Sequence, residues 1–392
     1  MAGSVIVSGA RTPIGKFQGG FASFTAMDLG GVAIRETLAR AGLSGDQIDY
    51  VIMGQVLQAG QGQITARQAA VAGGIPMNIP AITINKVCLS GLNAIHLADT
   101  LIRAGDIEIA IAGGMESMTN APYAMPKARG GFRMGNAEVV DLMIQDGLWC
   151  AFDHCHMGQG TDSINEQLKV GRAEQDEWSA RSHERAAEAT KAGRLGEEIT
   201  PVEVKQRRGD PIRIEEDEGI RPGTTAESLS TLNPAFVKTG TITAGNASQI
   251  SDGAAAVLVM SREKAEQLGL EPLAEIVAHG QVAGPDASLH HQPSHAIKAA
   301  AAKIGADPSS FDLYEINEAF ASVAIVSTKD LGVSEDKINV NGGAVALGHP
   351  IGASGARLVL TTAYELKRRG GGIGAAALCG GGGQGDALII KV

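Results

Sequence analysis

Cys88, Asn317, His349 and Cys379 carry side chains suited to acyl and proton transfer, each beside a turn rich in small residues. Cys88 stands between an apolar, strand-like stretch (82–87) and a helical pattern (89–103). A thiol at a helix N-terminus feels partial positive charge, which favours the thiolate nucleophile and fast alkylation by iodoacetamide. A buried, inert cysteine is the alternative. His349 lies in Asn341-Gly-Gly-Ala-Val-Ala-Leu-Gly-His-Pro-Ile-Gly-Ala-Ser-Gly355. The glycines let backbone approach a ligand or a second segment, and the histidine can serve as base toward a thiol; an incidental histidine in a turn is the alternative. Cys379 opens Cys379-Gly-Gly-Gly-Gly-Gln384-Gly after the apolar stretch 373–378. It can act as a base beside an oxyanion hole, or be the last buried residue of a strand. Asn317, after the apolar stretch 311–316, can hold a water or a carbonyl; position alone favours a helix N-cap.

Other motifs exclude more than they assign. Neither glycine-rich run is a nucleotide loop: the spacing is wrong for a dinucleotide fingerprint, and no Gly-Lys-Ser/Thr follows Cys379. Cys150, His154, Cys155 and His156 form one tight knot without the second ligand pair of a structural zinc site. His290-His291-x-x-x-His295 is equally weak as a metal site, so no metal is expected. Lys205, Arg207, Arg208, Arg213 and Arg221 are interleaved with acidic residues. They read as a solvated mixed-charge surface, or as a docking site for the phosphates of a nucleotide-bearing ligand.

The elements that must position these residues are α/β. Strand-like runs at 5–8, 50–53, 107–112, 254–260 and 387–391 alternate with helical runs such as 28–41 and 89–103. A loose repeat follows. The run 81–87, the Cys88 turn, a helix and the strand 107–112 are echoed by 338–340, a glycine turn, a helix over 356–368 and the strand 373–378. This predicts two similar halves. The polar stretch 119–249, with a long helix over 174–192, reads as an insertion that binds substrate. With 392 residues the chain is too long for one ordinary domain. Its net charge of -10 argues against nucleic-acid binding. No run is long and apolar enough for a membrane span, and the four cysteines form no disulfide framework. A cytoplasmic protein with reduced thiols is expected.

Seven stretches carry a resemblance: Ser8-Gly-Ala-Arg-Thr-Pro-Ile-Gly15, Asn85-Lys-Val-Cys-Leu-Ser-Gly91, Gly113-Gly-Met-Glu-Ser117, Gly245-Asn-Ala-Ser248, Asn317-Glu-Ala-Phe320, Gly348-His-Pro-Ile-Gly-Ala-Ser-Gly355 and Cys379-Gly-Gly-Gly382. In this order and spacing they resemble the thiolase family over essentially the whole chain. The resemblance implies two α/β halves, each a five-stranded sheet with helices, stacked as a five-layered α-β-α-β-α core. It implies a first half over 1–118 that resumes at 250–270, a loop domain over 119–249 for coenzyme A binding and oligomerisation, and a second half over 271–392. It further implies Cys88 as the acylated nucleophile, His349 as its base, and Cys379 as the acid/base at the α-carbon of the second acetyl-CoA. Asn317, through a water, and His349 would form one oxyanion hole; the N–H groups of Cys88 and Gly381 would form the other. Arg221, Ser248, His156, Met157, Leu148, Ala319 and Phe320 would bind coenzyme A or wall the acyl pocket. Coenzyme A is then substrate and product, with no separate cofactor, and a homotetramer is expected.

His156-Met157-Gly158 resembles the biosynthetic type that makes acetoacetyl-CoA from two acetyl-CoA. The stretch 282–293 lacks the Met-Gly-x-Gly-Pro-x-Pro run of such members, which keeps a degradative 3-ketoacyl-CoA thiolase of broader chain length as the rival. A ketosynthase-type enzyme fits the second cysteine less well. An inactive CoA-binding scaffold is the remaining alternative.

Overall fold

A computed structural model describes residues 3–392. The first half runs β1 (Ser4–Arg11), α1 (Ala26–Ala41), β2 (Tyr50–Gly54), α2 (Thr65–Ala72), β3 (Ala81–Ile84), α3 (Ser90–Ala104) and β4 (Ile109–Ser117). After a long insertion it returns with β5 (Ser251–Ser261). The insertion carries α4 (Met157–Leu168), α5 (Arg172–Lys191) and short strand pairs. The second half repeats the plan: β6 (Ala274–Ala283), α6 (Gln292–Lys303), β7 (Leu313–Ile316), α7 (Ala321–Leu331), α8 (Ser354–Arg368), β8 (Ile373–Gly380) and β9 (Gln384–Lys391).

The first half orders its strands β3-β2-β4-β5-β1 and the second β7-β8-β9-β6. The second half departs from the expected five strands. The run 338–340 makes no strand; Ile338 holds the fifth place through a single parallel bridge to Tyr314. The two sheets also join edge to edge, where Val5 and Ile6 of β1 pair with Glu275 and Ala274 of β6.

Side-chain alternation divides the core into layers. Ile52, Ala110 and Val257 of the first sheet, and Leu313, Ala376 and Leu388 of the second, face a shared cluster with Leu92, Ile95 and Ala98 of α3 and Leu358 and Ala363 of α8. Their neighbours Val51, Ile111 and Leu258 point the other way, onto Leu29 and Ile34 of α1. In the second half Tyr314, Ala375 and Ile389 pack on Ile297 of α6 and Ile325 of α7. The result is five layers, α1/α2, sheet, α3/α8, sheet and α6/α7. The run 254–260 does not alternate in sequence because β5 is covered on both faces. Each fully buried aliphatic side chain in these layers contributes about 1.5–3 kcal/mol.

Helix boundaries follow local chemistry. Thr25 caps α1 through a reciprocal bond pair with Asp28, and Gly42 ends it at φ 65°. Where α3 meets α8 the backbones touch. A Cβ on Gly91 would lie 2.9 Å from the amide nitrogen of Ala356, and one on Gly355 would lie 2.4 Å from that of Leu92. Only glycines allow this approach. It sets the N-termini of the two middle helices side by side, bringing the turn before each together.

Candidate active site

The Cys88 turn is held by its own sequence. Val87 has φ 52°, a conformation a β-branched residue adopts only when its surroundings impose it. Asn85 Oδ1 accepts the Val87 N–H at 3.0 Å, and Ser90 Oγ accepts the Lys86 N–H at 2.8 Å. Lys86 is anchored on the buried Asp386 of β9 at 2.8 Å. These contacts turn the chain sharply from β3 into α3 and leave Cys88 two residues ahead of the helix.

Cys88 is buried, and its thiol is pushed up to about 12. Desolvation is the main cause; the backbone N–H groups of Cys88 and Gly381 oppose it, while the charge of Glu116 adds to it. The shift runs opposite to the lowering expected from a helix terminus, because burial outweighs it. Gly381 comes from the turn after β8, so an N–H from each half faces the Cys88 sulfur. Cys379, at the end of β8, is buried, and its thiol is raised by desolvation and then by the neighbouring Cys88.

His349 lies in the turn before α8. Its N–H is held by Gln249 O at 3.1 Å and Ser251 Oγ at 3.2 Å. The turn packs onto β4 because Gly114 has no side chain; a Cβ there would lie 2.0 Å from Gly352 O. Burial, then the charge of Arg357, lowers the imidazole to about 3, so it is neutral. Its Nδ1 is 2.6 Å from Ser354 Oγ, which donates to Pro350 O at 3.0 Å. Nδ1 therefore carries the hydrogen, and Nε2 presents a lone pair, receiving Asn317 Nδ2 at 3.3 Å.

Asn317 follows β7 and donates its N–H to Ala377 O at 3.0 Å. It is not a helix cap: Phe320 occupies that position for α7. Its buried Oδ1 has no partner among the described residues, as a site for a water or substrate oxygen requires. Next to it, the buried Glu318 accepts from Trp178 Nε1, Ser182 Oγ, Asn339 Nδ2 and the Val345 N–H at 2.8–3.0 Å. Glu318 thus ties α5 of the insertion to the Asn317 turn. Glu116 has a parallel role. Its carboxylate takes the N–H groups of Val56, Leu57 and Gly352 at 2.9–3.1 Å and is pushed up to about 7 by burial. The sequence had marked these two glutamates and Ser354 only as parts of motifs.

The expected pocket residues divide into groups. Ala319 and Phe320 cluster with Cys379, Ile242, Leu289 and Val323, with Met157 and Phe236 packed against them. His156 stacks on Phe236 at 4.5 Å, and the Ser248 N–H binds Ala319 O at 3.0 Å. A cavity of about 260 Å³ lies alongside, walled by Met157, Ala287, Leu289 and His290 and reaching Gly382, one residue beyond Gly381. Leu148 lies against the cluster that contains Cys88. Arg221 stands apart, its side chain exposed and its N–H bound to His183 Nδ1 at 3.2 Å. It does not line the cavity. Arg207, Arg208 and Arg213 are exposed, with Arg213 paired to Glu215.

Residues 4–263 match the family model described as thiolase, N-terminal domain, and residues 270–392 match thiolase, C-terminal domain. A probable acetyl-CoA acetyltransferase of Mycolicibacterium smegmatis is 57% identical over 387 residues, 99% of this chain and 100% of that protein. An acetyl-CoA acetyltransferase of Cupriavidus necator is 49% identical over 391 residues, all of both chains. The crystal structure of the Bacillus anthracis acetyl-CoA acetyltransferase superposes with a TM-score of 0.96 at 39% identity, covering 100% of this chain and 99% of that one. The chain belongs to the thiolase family.

Proposed function

We propose that this protein is an acetyl-CoA C-acetyltransferase, joining two acetyl-CoA into acetoacetyl-CoA and free CoA and running the reverse thiolysis, through an acyl group on Cys88. The observation that carries this reading is the convergence of two buried thiols, a neutral imidazole whose Nε2 carries a lone pair, and the Gly381 N–H directed at the Cys88 sulfur.

In the first half-reaction His349 Nε2 takes the Cys88 proton, and the thiolate attacks the thioester carbonyl. The N–H groups of Cys88 and Gly381 hold the resulting oxyanion. The departing CoA sulfur takes the Cys379 proton, leaving a thioester on Cys88, an imidazolium at His349 and a thiolate at Cys379. Burial makes that thiolate a strong base, suited to a weakly acidic α-carbon. In the second half-reaction Cys379 removes a proton from the methyl group of the second acetyl-CoA. The enolate oxygen rests between the His349 imidazolium and a water on Asn317. The enolate carbon attacks the thioester, and Cys88 leaves with the His349 proton. Each group returns to its starting state, and the order is ping-pong.

Leu148, His156, Met157, Ser248, Ala319 and Phe320 are assigned to the acyl and pantetheine channel, and Arg221 to the nucleotide end, where an exposed cation suits phosphates. The halves are assigned as 1–118 with 250–270 and as 271–392, and the insertion as 119–249. A cytoplasmic homotetramer needing only coenzyme A esters completes the reading; among the described residues no helix is long and apolar enough to cross a membrane.

One feature favours a second reading, a thiolase of broader chain length: Ala287 and Leu289 wall the cavity, and 282–293 contains no methionine. Thiolysis of 3-ketoacyl-CoA esters of increasing length, with wild type, Cys88→Ala and Cys379→Ala, tests both. Cleavage confined to acetoacetyl-CoA supports the acetyl enzyme, and comparable rates on longer chains support the second. Cys379→Ala should still become acylated at Cys88. Full activity in Cys88→Ala would overturn the assignment.

A further inference from the structure

Behind the cavity, on the outer layer of the second half, His291 precedes α6 with φ -89° and ψ -13°, so the helical path already includes it. His295 is one turn on, and the two rings stack with centroids 5.6 Å apart at 17°. The end of α7 brings Asp330 to the same point. Asp330 Oδ2 lies 2.6 Å from His291 Nδ1 and 2.8 Å from Ser294 Oγ. One ligand atom from each of His291, His295 and Asp330 falls within 4.8 Å of the other two. The run His290-His291-x-x-x-His295 had no third donor in sequence; the fold supplies it from 35 residues beyond His295.

We infer that His291, His295 and Asp330 bind a divalent transition-metal ion of the zinc class. An ordinary ion pair would need one histidine. Here a second imidazole lies parallel to the first at the same carboxylate, and two imidazoliums so placed repel each other. A single dication serves both rings in their neutral forms. Two imidazoles and one carboxylate suit zinc, nickel or cobalt rather than magnesium or calcium. Tetrahedral coordination at about 2.0–2.2 Å sets donors about 3.4 Å apart. His291 Nδ1 and Asp330 Oδ2, 2.6 Å apart, must open to admit the ion, and the exposed His295 side chain can turn toward it. Nearby charges are mixed: Lys298 acts on His295, and Asp286 responds to His291.

The position gives the ion a consequence. Leu289 and His290, immediately before His291, line the cavity, and Ser327 of α7 donates to His290 O at 2.8 Å. An ion joining the start of α6 to the end of α7 would brace that wall. Binding itself is independent of the catalytic assignment.

The test is calorimetric titration of the purified, full-length, chelator-treated protein with zinc(II), repeated with nickel(II). The expected result is one ion per chain, weakened at least about tenfold in His295→Ala and in Asp330→Asn. Cys155→Ser, which removes a thiol that could itself take zinc, should leave binding unchanged. No binding to wild type, binding unaffected by His295→Ala, or binding lost only in Cys155→Ser would each overturn the proposal.

Discussion

Replacing Ser354 with alanine removes the group that fixes which nitrogen of His349 carries the hydrogen. The hydroxyl spends its hydrogen on Pro350 O and so can only accept from Nδ1. Without it, a buried N–H loses its acceptor, a loss of about 1–3 kcal/mol. The cheapest relief moves the hydrogen to Nε2, where Asn317 Nδ2 now donates. An Nε2–H imidazole cannot take the Cys88 proton. At about 1.4 kcal/mol per tenfold, kcat/KM for acetoacetyl-CoA thiolysis should fall about 5- to 150-fold. The loss should appear in kcat and in single-turnover acylation of Cys88, since Ser354 is assigned no contact with substrate. Melting temperature, measured on the same samples, separates this from partial unfolding. Acylation within about twofold of wild type in a folded Ser354→Ala protein would refute the tautomer argument.

Four further outcomes follow from the charges inside the molecule. Well below a thiol pKa near 12, Cys88 alkylation by iodoacetamide should climb about tenfold per pH unit between neutrality and mild alkali. Glu116→Gln should raise that rate mainly above about pH 7, where Glu116 is charged, while lowering the melting temperature; a rate unchanged at all pH values would remove Glu116 from the account. Arg11 is buried between Glu198 at 2.6 Å and Asp217 at 2.7 Å, so Arg11→Met strands two buried carboxylates and should cost about 3–5 kcal/mol, read as a denaturation midpoint shift. His96, His183 and His290 are lowered to about 4, His349 to about 3 and His279 to about 2, so the native state holds them neutral. Below their ordinary value of 6.5 the unfolded chain binds more protons, and stability falls with pH through that window. Glu116 and Glu315, raised to about 7 and 8, act in the opposite sense, favouring the fold at low pH and losing that contribution as pH rises from 4.5. Five histidines against two glutamates give a melting temperature that drops from pH 6.5 to 4.5; a rise over that range in scanning calorimetry would contradict the balance.

What could be read from the sequence was whatever a local pattern encodes. Both halves, the middle helices and β5 announce themselves through apolar runs and turn residues, and Cys88, His349 and Cys379 through turns whose glycines have a visible purpose. What could not be read depends on contacts between distant segments. The sequence placed Cys88 at a helix terminus and so inferred a thiolate, but the sign of the shift is set by how completely α3, α8 and both sheets exclude water. Asn317 looked like a cap because a helix follows closely; the helix starts at Ala321, and the asparagine is turned toward His349. The run 338–340 looked like a strand, yet only Ile338 reaches the sheet before Asn339 turns back, its side chain bonding Ile316 and Glu318.

Glu116 and Glu318 make the same point from the opposite direction. A buried carboxylate reads in sequence as a candidate acid or base, and each sits in a motif beside the chemistry. Each, however, has its oxygens taken by neighbours: Glu116 by three backbone N–H groups, Glu318 by four donors from three other segments. A carboxylate so engaged is a fastener, and what each fastens explains its place. Glu116 clips the turn after His349 to the segment after β2; Glu318 clips α5 to the turn that carries Asn317. The groups proposed to react are less engaged: Oδ1 of Asn317 has no partner among the described residues, and Nε2 of His349 takes one long bond from Asn317. In the proposed mechanism the proton traffic runs through His349 and the cysteines, and the glutamates hold still the loops on which those groups stand.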